Sequence, residues 1–413
     1  MNWLTRSGFI YLLCLYLILC LTAFSVPSIS NYEQQTSPQT ITEIRGVWLT
    51  NVASGVFFVP WGIDRAVNQL SALNFNTIYP VVWNRGHTFY KSNVAQVVTG
   101  SQTQPIVNLI HGGQDVLAKL VQLAKPKGLS VIPWFEYGFM TPINSEIVRR
   151  YPDWLTKGQQ GVNSIKETPP EEVDNGLIHK QAWLNPLHPE VQKFILKLIL
   201  EVVSNYDVDG IQLDDHFGMP VQFGYDAFTV DLYRQEHQDN SPPTNPFNSE
   251  WMRWRANKIT DFMAEIYQAV KEVKPDAKIS LSPNSHAFAY KYYLQDWDSW
   301  VKKGLVDELI VQVYRNDPSS FIANLEQPAV KFARTQIPVG IGISTGTVRN
   351  PVEMAQIREQ VEIVRDRSFV GISFFYWESL WGYITPESPR QRRRAFLEMF
   401  AQKATRPLPQ NKV

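Results

Sequence analysis

The stretch "GIQLDDHFGMP" (210–220) places Asp214, Asp215 and His216 side by side where an apolar run ends, ahead of a glycine and a proline that halt regular structure. Two adjacent carboxylates at the end of a buried strand are costly unless water, a partner or a substrate meets them. In an extended chain Gln212 and Asp214 share one face, and Leu213 and Asp215 the other. One carboxylate should therefore point inward while its neighbour turns toward the next strand or loop. Asp214 is the expected inward group, with Asp215 a close second because strand ends bulge.

Glu136 in "PWFEYG" and Glu378 in "FFYWES" also close runs of aromatic and β-branched residues. A carboxyl beside Trp134 and Phe135 loses solvation, which raises its pKa as a proton donor requires. Carboxylates facing each other across an aromatic-lined mouth suit glycoside hydrolysis: one acid protonates the leaving oxygen, and a second attacks the sugar or activates water. The expected catalytic set is Asp214 as nucleophile or base and Glu378 or Glu136 as proton donor, with Asp215 acting beside Asp214. Carboxyl separation, about 5 Å for retention and about 6.5–9.5 Å for inversion, would decide the stereochemistry. A substrate N-acetyl group could also assist, oriented by the aspartate pair.

Other strand ends deliver groups that could hold a sugar. They are Asn51, Trp83, Asn84, Arg85, Trp134, His216, Asn284, His286, Gln312, Tyr314, Tyr376 and Trp377. Indole and phenol faces suit the C–H surface of a pyranose; amides and imidazoles suit its hydroxyls. Each has a plainer reading. The aspartates could cap a loop, Glu378 could pair with Arg45 or Arg85, and the tryptophans, Trp381 included, could be core plugs. The Asp-Asp-His run is weak support for a metal, since adjacent strand residues point apart and no His-x-His pair is present. No metal or cofactor is expected. A serine nucleophile lacks its G-x-S-x-G elbow. A glycan-binding barrel without catalysis is the alternative from another class.

Eight segments read as strands: 43–51, 75–83, 128–138, 208–216, 277–285, 306–314, 337–345 and 369–379. Amphipathic stretches at 62–74, 113–125, 188–206, 251–273, 320–335, 352–367 and 388–402 alternate with them. Strands apolar on both faces, each followed by a helix, predict a parallel sheet covered by helices, and eight such units predict a closed (β/α)8 TIM barrel. A doubly wound sheet would show a glycine-rich phosphate turn after an early strand, and none is present. Long loops follow strands 2, 3 and 4 (84–112, 139–187, 217–250), on the face where barrel active sites sit. The polar run 156–180 reads as mobile, and "GYDAF" around Tyr225 and Asp226 as lid structure.

With these segments in order, "EIRGVWLTN", "FNTIYPVVWNRG", "AWLNPLHPEVQKFILKLILEVVSNYDVDGIQLDDHF" and "FFYWESLWGY" resemble the glycosyl-hydrolase-like family 10, from about 43 to 400. The block "YDVDGI…DD" is the most specific part. The resemblance implies a bacterial, exported (β/α)8 glycosidase of envelope glycans, peptidoglycan strands in particular. It matches Asp214 and Asp215 to the family's paired aspartates, and Glu378 to its strand-eight acid. His216, Glu136 and "SPNSHAF" depart from the family pattern, which points to a subgroup with its own glycan.

The first 25 residues, with Arg6 before "GFIYLLCLYLILCLTAF" and small residues at Ala23 and Ser25, have the layout of a secretory signal peptide or, uncleaved, an N-terminal anchor. Residues 26–42 read as a flexible linker, 43–403 as the barrel domain and 404–413 as a tail. Cys14 and Cys20 both lie in the leader, so a mature chain of roughly 390 residues would have no thiol and would depend on its core. The 39 basic and 39 acidic residues balance, which argues against nucleic acid as a partner. The expected partner is a polysaccharide, with a possible membrane tether, in a periplasmic or extracellular setting.

Overall fold

Short apolar runs form eight strands here because every position can be buried, one face in the barrel and the other under helices. They are β1 (Ile44–Leu49), β2 (Thr77–Pro80), β3 (Ser130–Val131, resuming at Trp134–Phe135), β4 (Gly210–Asp214), β5 (Lys278–Ser282), β6 (Glu308–Gln312), β7 (Val339–Ser344) and β8 (Gly371–Phe375). The computed structural model describes residues 41–161, 165–166, 180–347, 350–381 and 385–407. The expected leader, nearly all of the expected linker and most of the polar 156–180 run lie outside them. Among the described residues no helix is long and apolar enough to cross a membrane.

All pairings between barrel strands are parallel, and β3 closes the ring. Its first half pairs with β2 through Thr77–Ser130 and Ile78–Val131; its second half pairs with β4 through Gln212–Trp134 and Leu213–Phe135. The expected continuous strand 128–138 is broken at Pro133, which has no N–H for a ladder and offers only its carbonyl, to Gln212 N at 2.8 Å. The expected helices appear with one division. The stretch 320–335 becomes Pro318–Leu325 and Pro328–Gln336, since Pro328 opens a new helix at a position where no N–H is needed. Helix starts follow side-chain chemistry: Asp226 accepts from Thr229 N, Asn248 from Trp251 N, and Ser388 with Gln391 forms a capping box. Asp226 also accepts from Thr156 and Asn185, so "GYDAF" is a cap and loop clamp.

The chain segments flanking the barrel meet at its N-terminal end. Ile41–Thr42 pairs with Ala404–Thr405, and the Arg406 side chain, 8% exposed, reaches into the N-terminal end of the barrel. Its guanidinium pairs with Glu308 and donates to Thr77 Oγ1. Glu308 also accepts from Ser280 Oγ (3.1 Å); Ser280 accepts from Gln212 Nε2 (3.0 Å), and Gln212 from Trp48 Nε1 (2.7 Å). A chain of polar contacts thus climbs the barrel interior from the supposed tail to the residue two before Asp214.

Removing Arg406 would leave Glu308 charged and unpaired in the core. Arg406→Ala should lower unfolding free energy by about 3–5 kcal/mol, read as a lower denaturation midpoint at unchanged m-value. An unchanged midpoint would show that the tail contributes nothing to the barrel.

Candidate active site

Asp214 is the last residue of β4 and points inward, as parity predicts. It is 3% exposed, and its Oδ1 accepts from Gln312 Nε2 at 2.7 Å, across the barrel from β6. Burial, then the neighbouring Asp215, holds its carboxyl well above the ordinary carboxylate range; Glu136 adds to the effect. The strand stops there, and Asp215 and His216 form a turn. Asp215 is half-buried and turns toward β5. Its Oδ2 accepts from Asn284 Nδ2 (2.6 Å), and its Oδ1 lies 3.0 Å from His216 Nδ1. That nitrogen is also 3.2 Å from the Glu136 carbonyl. Both neighbours are acceptors, so Nδ1 carries the proton.

Because the turn begins at Asp215, the expectation that adjacent side chains diverge fails here. Potential ligand atoms of Asp214, Asp215 and His216 converge within 4.8 Å. The His216 nitrogen nearest the carboxylates is already engaged by two acceptors.

Glu136 follows β3 and is held beneath the rim. Its Oε2 accepts from Asn84 Nδ2 (2.5 Å) and Thr50 Oγ1 (3.2 Å). Burial pushes its carboxyl up to about 7, outweighing the Asn84 hydrogen bond and the positive charge of His216. Two residues on, Gly138 brings this loop against the β4 turn. Its φ is +50°, and a Cβ there would meet the His216 carbonyl at 2.6 Å. Gln295 braces the turn from below, donating to the carbonyls of Asp214 (2.8 Å) and Phe217 (3.1 Å).

Glu378 occupies a different setting, in the helix Trp377–Trp381 after β8. One carboxylate oxygen accepts from Ser54 Oγ, Gly55 N (2.9 Å) and Val56 N (3.0 Å). Tyr376 Oη donates to the Ala53 carbonyl at 3.2 Å. Together they pin the loop after β1. Burial raises the Glu378 carboxyl to about 7 as well.

The remaining expected residues divide. Phe375 and Tyr314 stand half-buried and stack at 5.6 Å, while Trp134 is buried beneath them, its ring 6.3 Å from Trp48 and 6.4 Å from Phe375. Asn51 and Arg85 stand half-buried at the rim, where the Arg85 charge lowers the pKa of Glu136. His286 is turned away from the aspartates and bonds Asp296 Oδ1 at 2.8 Å. Asn84 and Tyr376 are also buried, holding Glu136 and the loop after β1, and the expectations for the two tryptophans at strand ends are corrected. Trp83 is fully buried, donates to the Gly138 carbonyl and packs edge-on against Phe194, so it is a core plug. Trp377 is also buried, with Arg65 against its ring at 5.6 Å. Both follow the end of a strand, where alternation no longer fixes direction. Thr50 was missed although it adjoins Asn51, and Gln295 left no local signal because its contacts lie about eighty residues away in sequence.

The barrel, the strand-end acids and the aromatic mouth accord with known proteins. The glycosyl hydrolase-like 10 family profile matches residues 43–364. The chain belongs to that family. It is similar to glycosyl hydrolase DigH of Escherichia coli (strain K12), 24% identical over 367 residues that cover 76% of each chain. Glycosyl hydrolase YngK of Bacillus subtilis (strain 168) is 22% identical over 342 residues, 72% of this chain and 58% of YngK. Among solved structures, the PgaB (BpsB) glycoside hydrolase domain of Bordetella bronchiseptica superposes with a TM-score of 0.59 at 13% identity, covering 84% of this chain and all of that one. The catalytic domain of β-amylase from Paenibacillus polymyxa gives 0.57 at 11% identity, with 88% and 100% covered. Both show the barrel fold. Membership of the glycosyl hydrolase-like 10 family supports a glycosidase-type function. The family match ends before β8, so Glu378 lies beyond it, whereas Glu136, Asp214 and Asp215 lie within.

Unfolded, Glu136 and Glu378 would ionise near 4.5; folded, they keep their protons to about 7. Between those values the folded state binds more protons, so stability should fall as pH rises from about 4.5 to about 7 and stay lower above it. Glu136→Gln and Glu378→Gln should each flatten that decline, by on the order of 3 kcal/mol at pH 8. Melting temperatures of the three proteins across this range check it; parallel curves would refute the assignment.

Proposed function

We propose that this protein hydrolyses glycosidic bonds of bacterial envelope polysaccharide, peptidoglycan glycan strands in particular, by carboxylate acid/base chemistry outside the cytoplasm. One observation carries the reading: a buried Glu136 whose proton is held to about 7 stands beside the Asp214–Asp215 pair at the C-terminal ends of β3 and β4. Glycosidases divide labour by placing carboxyls in unlike environments. Glu136 serves as the proton donor to the leaving oxygen. Asp215, reachable by solvent and oriented by Asn284 and His216, serves as the base or nucleophile. Asp214, nearly sealed, keeps its proton and positions its neighbour. This exchanges the two aspartates relative to the sequence expectation, because burial favours Asp215 as the group that meets substrate.

The half-buried Phe375 and Tyr314 supply ring faces beneath the sugar, with Trp134 packed under them. Glu378 acts through the loop it holds, since one of its oxygens already takes three donors. An envelope setting is supported by the apolar leader and by similarity over 264 residues to an S-layer-related protein of Niallia circulans, of which the match covers 16%.

Release of new reducing ends from purified glycan strands tests these roles. Glu136→Gln should cost roughly 10²–10⁴-fold in kcat and abolish the fall in rate above about pH 7. Asp215→Asn should lose turnover comparably while still binding strands. Glu378→Gln, which keeps an acceptor for Ser54, Gly55 and Val56, should retain most activity. Wild-type rates in both Glu136→Gln and Asp215→Asn would overturn the site. Binding of strands without any new ends from the wild type would favour a non-catalytic glycan-binding barrel.

A further inference from the structure

A line of rings leads away from the carboxylates along the barrel's upper face. His216 lies 6.2 Å from Trp183, and Trp183 lies 6.2 Å from Tyr293. Tyr293 is 5.9 Å from Phe288, Phe288 is 5.1 Å from Tyr292, and Tyr292 is 6.4 Å from Phe247. His216 is half-buried, and beyond Trp183 exposure rises along the line. Trp183 is sealed, Tyr293 and Phe288 are half-buried, and Tyr292 and Phe247 are 40% and 44% exposed. Of the exposed large aromatics among the described residues, Trp61, Tyr292 and Phe247, only the last two form a ring contact with each other.

Three loops build this surface, and the fold fixes them together. Trp183 closes the strand Lys180–Trp183 and donates to the Gly218 carbonyl at 3.0 Å. Met219 N and Val221 N donate to the carbonyls of Tyr293 (2.7 Å) and Tyr292 (2.8 Å), which joins the loop after β4 to the helix His286–Tyr293. The buried Arg255 gathers the carbonyls of Val221, Phe223 and Pro246, which sets Phe247 in place. An exposed aromatic pair on such a braced surface loses little freedom on binding. Isolated apolar side chains on a surface need no explanation; an exposed aromatic pair joined by ring contacts through the sealed Trp183 to a catalytic cluster does.

We propose that Phe247, Phe288 and Tyr292 form a distal binding surface for the glycan on one side of the scissile bond, so that the enzyme prefers long strands to short oligosaccharides. The occupant is a run of sugar rings, whose apolar faces stack on the aromatics as they leave the carboxylates. This rests on the glycosidase reading above.

The test compares wild type with a Phe247→Ala/Tyr292→Ala double variant on purified peptidoglycan glycan strands fractionated by length, and on short oligosaccharides from the same strands. Both side chains are surface groups, and an unchanged melting temperature confirms the fold. On long strands kcat/KM should fall about tenfold through KM, the size of one good ring contact, with short substrates unaffected. Equal loss on long and short substrates, or no loss on either, overturns the proposal. If the wild type cleaves neither, the catalytic reading fails, and retardation in gels containing long strands decides this one separately. Retardation weakened by the double variant supports the surface, and unchanged retardation refutes it.

Discussion

The site depends on removing carboxylates from water without giving them a cation that fully compensates. Glu136 and Asp214 are nearly sealed, and the groups that touch their oxygens are neutral donors: Asn84 and Thr50 for one, Gln312 for the other. Neutral donors orient a carboxyl while offsetting only part of its desolvation, so the proton stays on at higher pH. Arg85 and His216 contribute charge to Glu136 from nearby, and their pull is smaller than the burial effect. A buried arginine in bidentate contact would have reversed the balance, as the other end of the barrel shows. There Glu43 is clasped by Arg45 and Arg365, and its carboxyl is held below the ordinary value despite burial.

The two ends of the barrel therefore use the same residue types for opposite purposes. At the N-terminal end, Arg406–Glu308 and Arg45–Glu43–Arg365 are matched ion pairs that tie the chain ends to the strands. At the C-terminal end acids outnumber the cations that touch them, and the Asp215 and Glu136 turns are braced by amides and by close backbone approach at Gly138. The polar chain Arg406–Glu308–Ser280–Gln212–Trp48 connects the ends physically. Its members hold the β4 and β5 side chains in register just below the reacting level.

Glu378 illustrates why proximity in sequence to a strand end is insufficient. It has the burial and raised proton affinity of a catalytic acid. Its bonded partners are the backbone and serine of one loop, an arrangement that stabilises local structure. Glu136, with a similar pKa, lies within the electrostatic reach of Asp214. The charges that surround each acid, more than its own proton affinity, separate the two.

The sequence by itself determined the barrel, because periodicity and strand composition report burial, which is a local property of each segment. Strand count, nearly every helix and the inward direction of Asp214 follow from alternation and capping. The resemblance carried by "YDVDGI…DD" added the family. Tertiary structure decided what alternation cannot reach. Beyond the last hydrogen-bonded residue of a strand, direction is set by turns, so Asp215 and His216 converge with Asp214, and Trp83 and Trp377 retreat into the core. It also decided that the supposed tail plugs the barrel, that Gln295 holds the aspartate turn, and that rings from three loops align. These depend on contacts between segments tens to hundreds of residues apart, whose pairing is fixed only when the ring of strands closes.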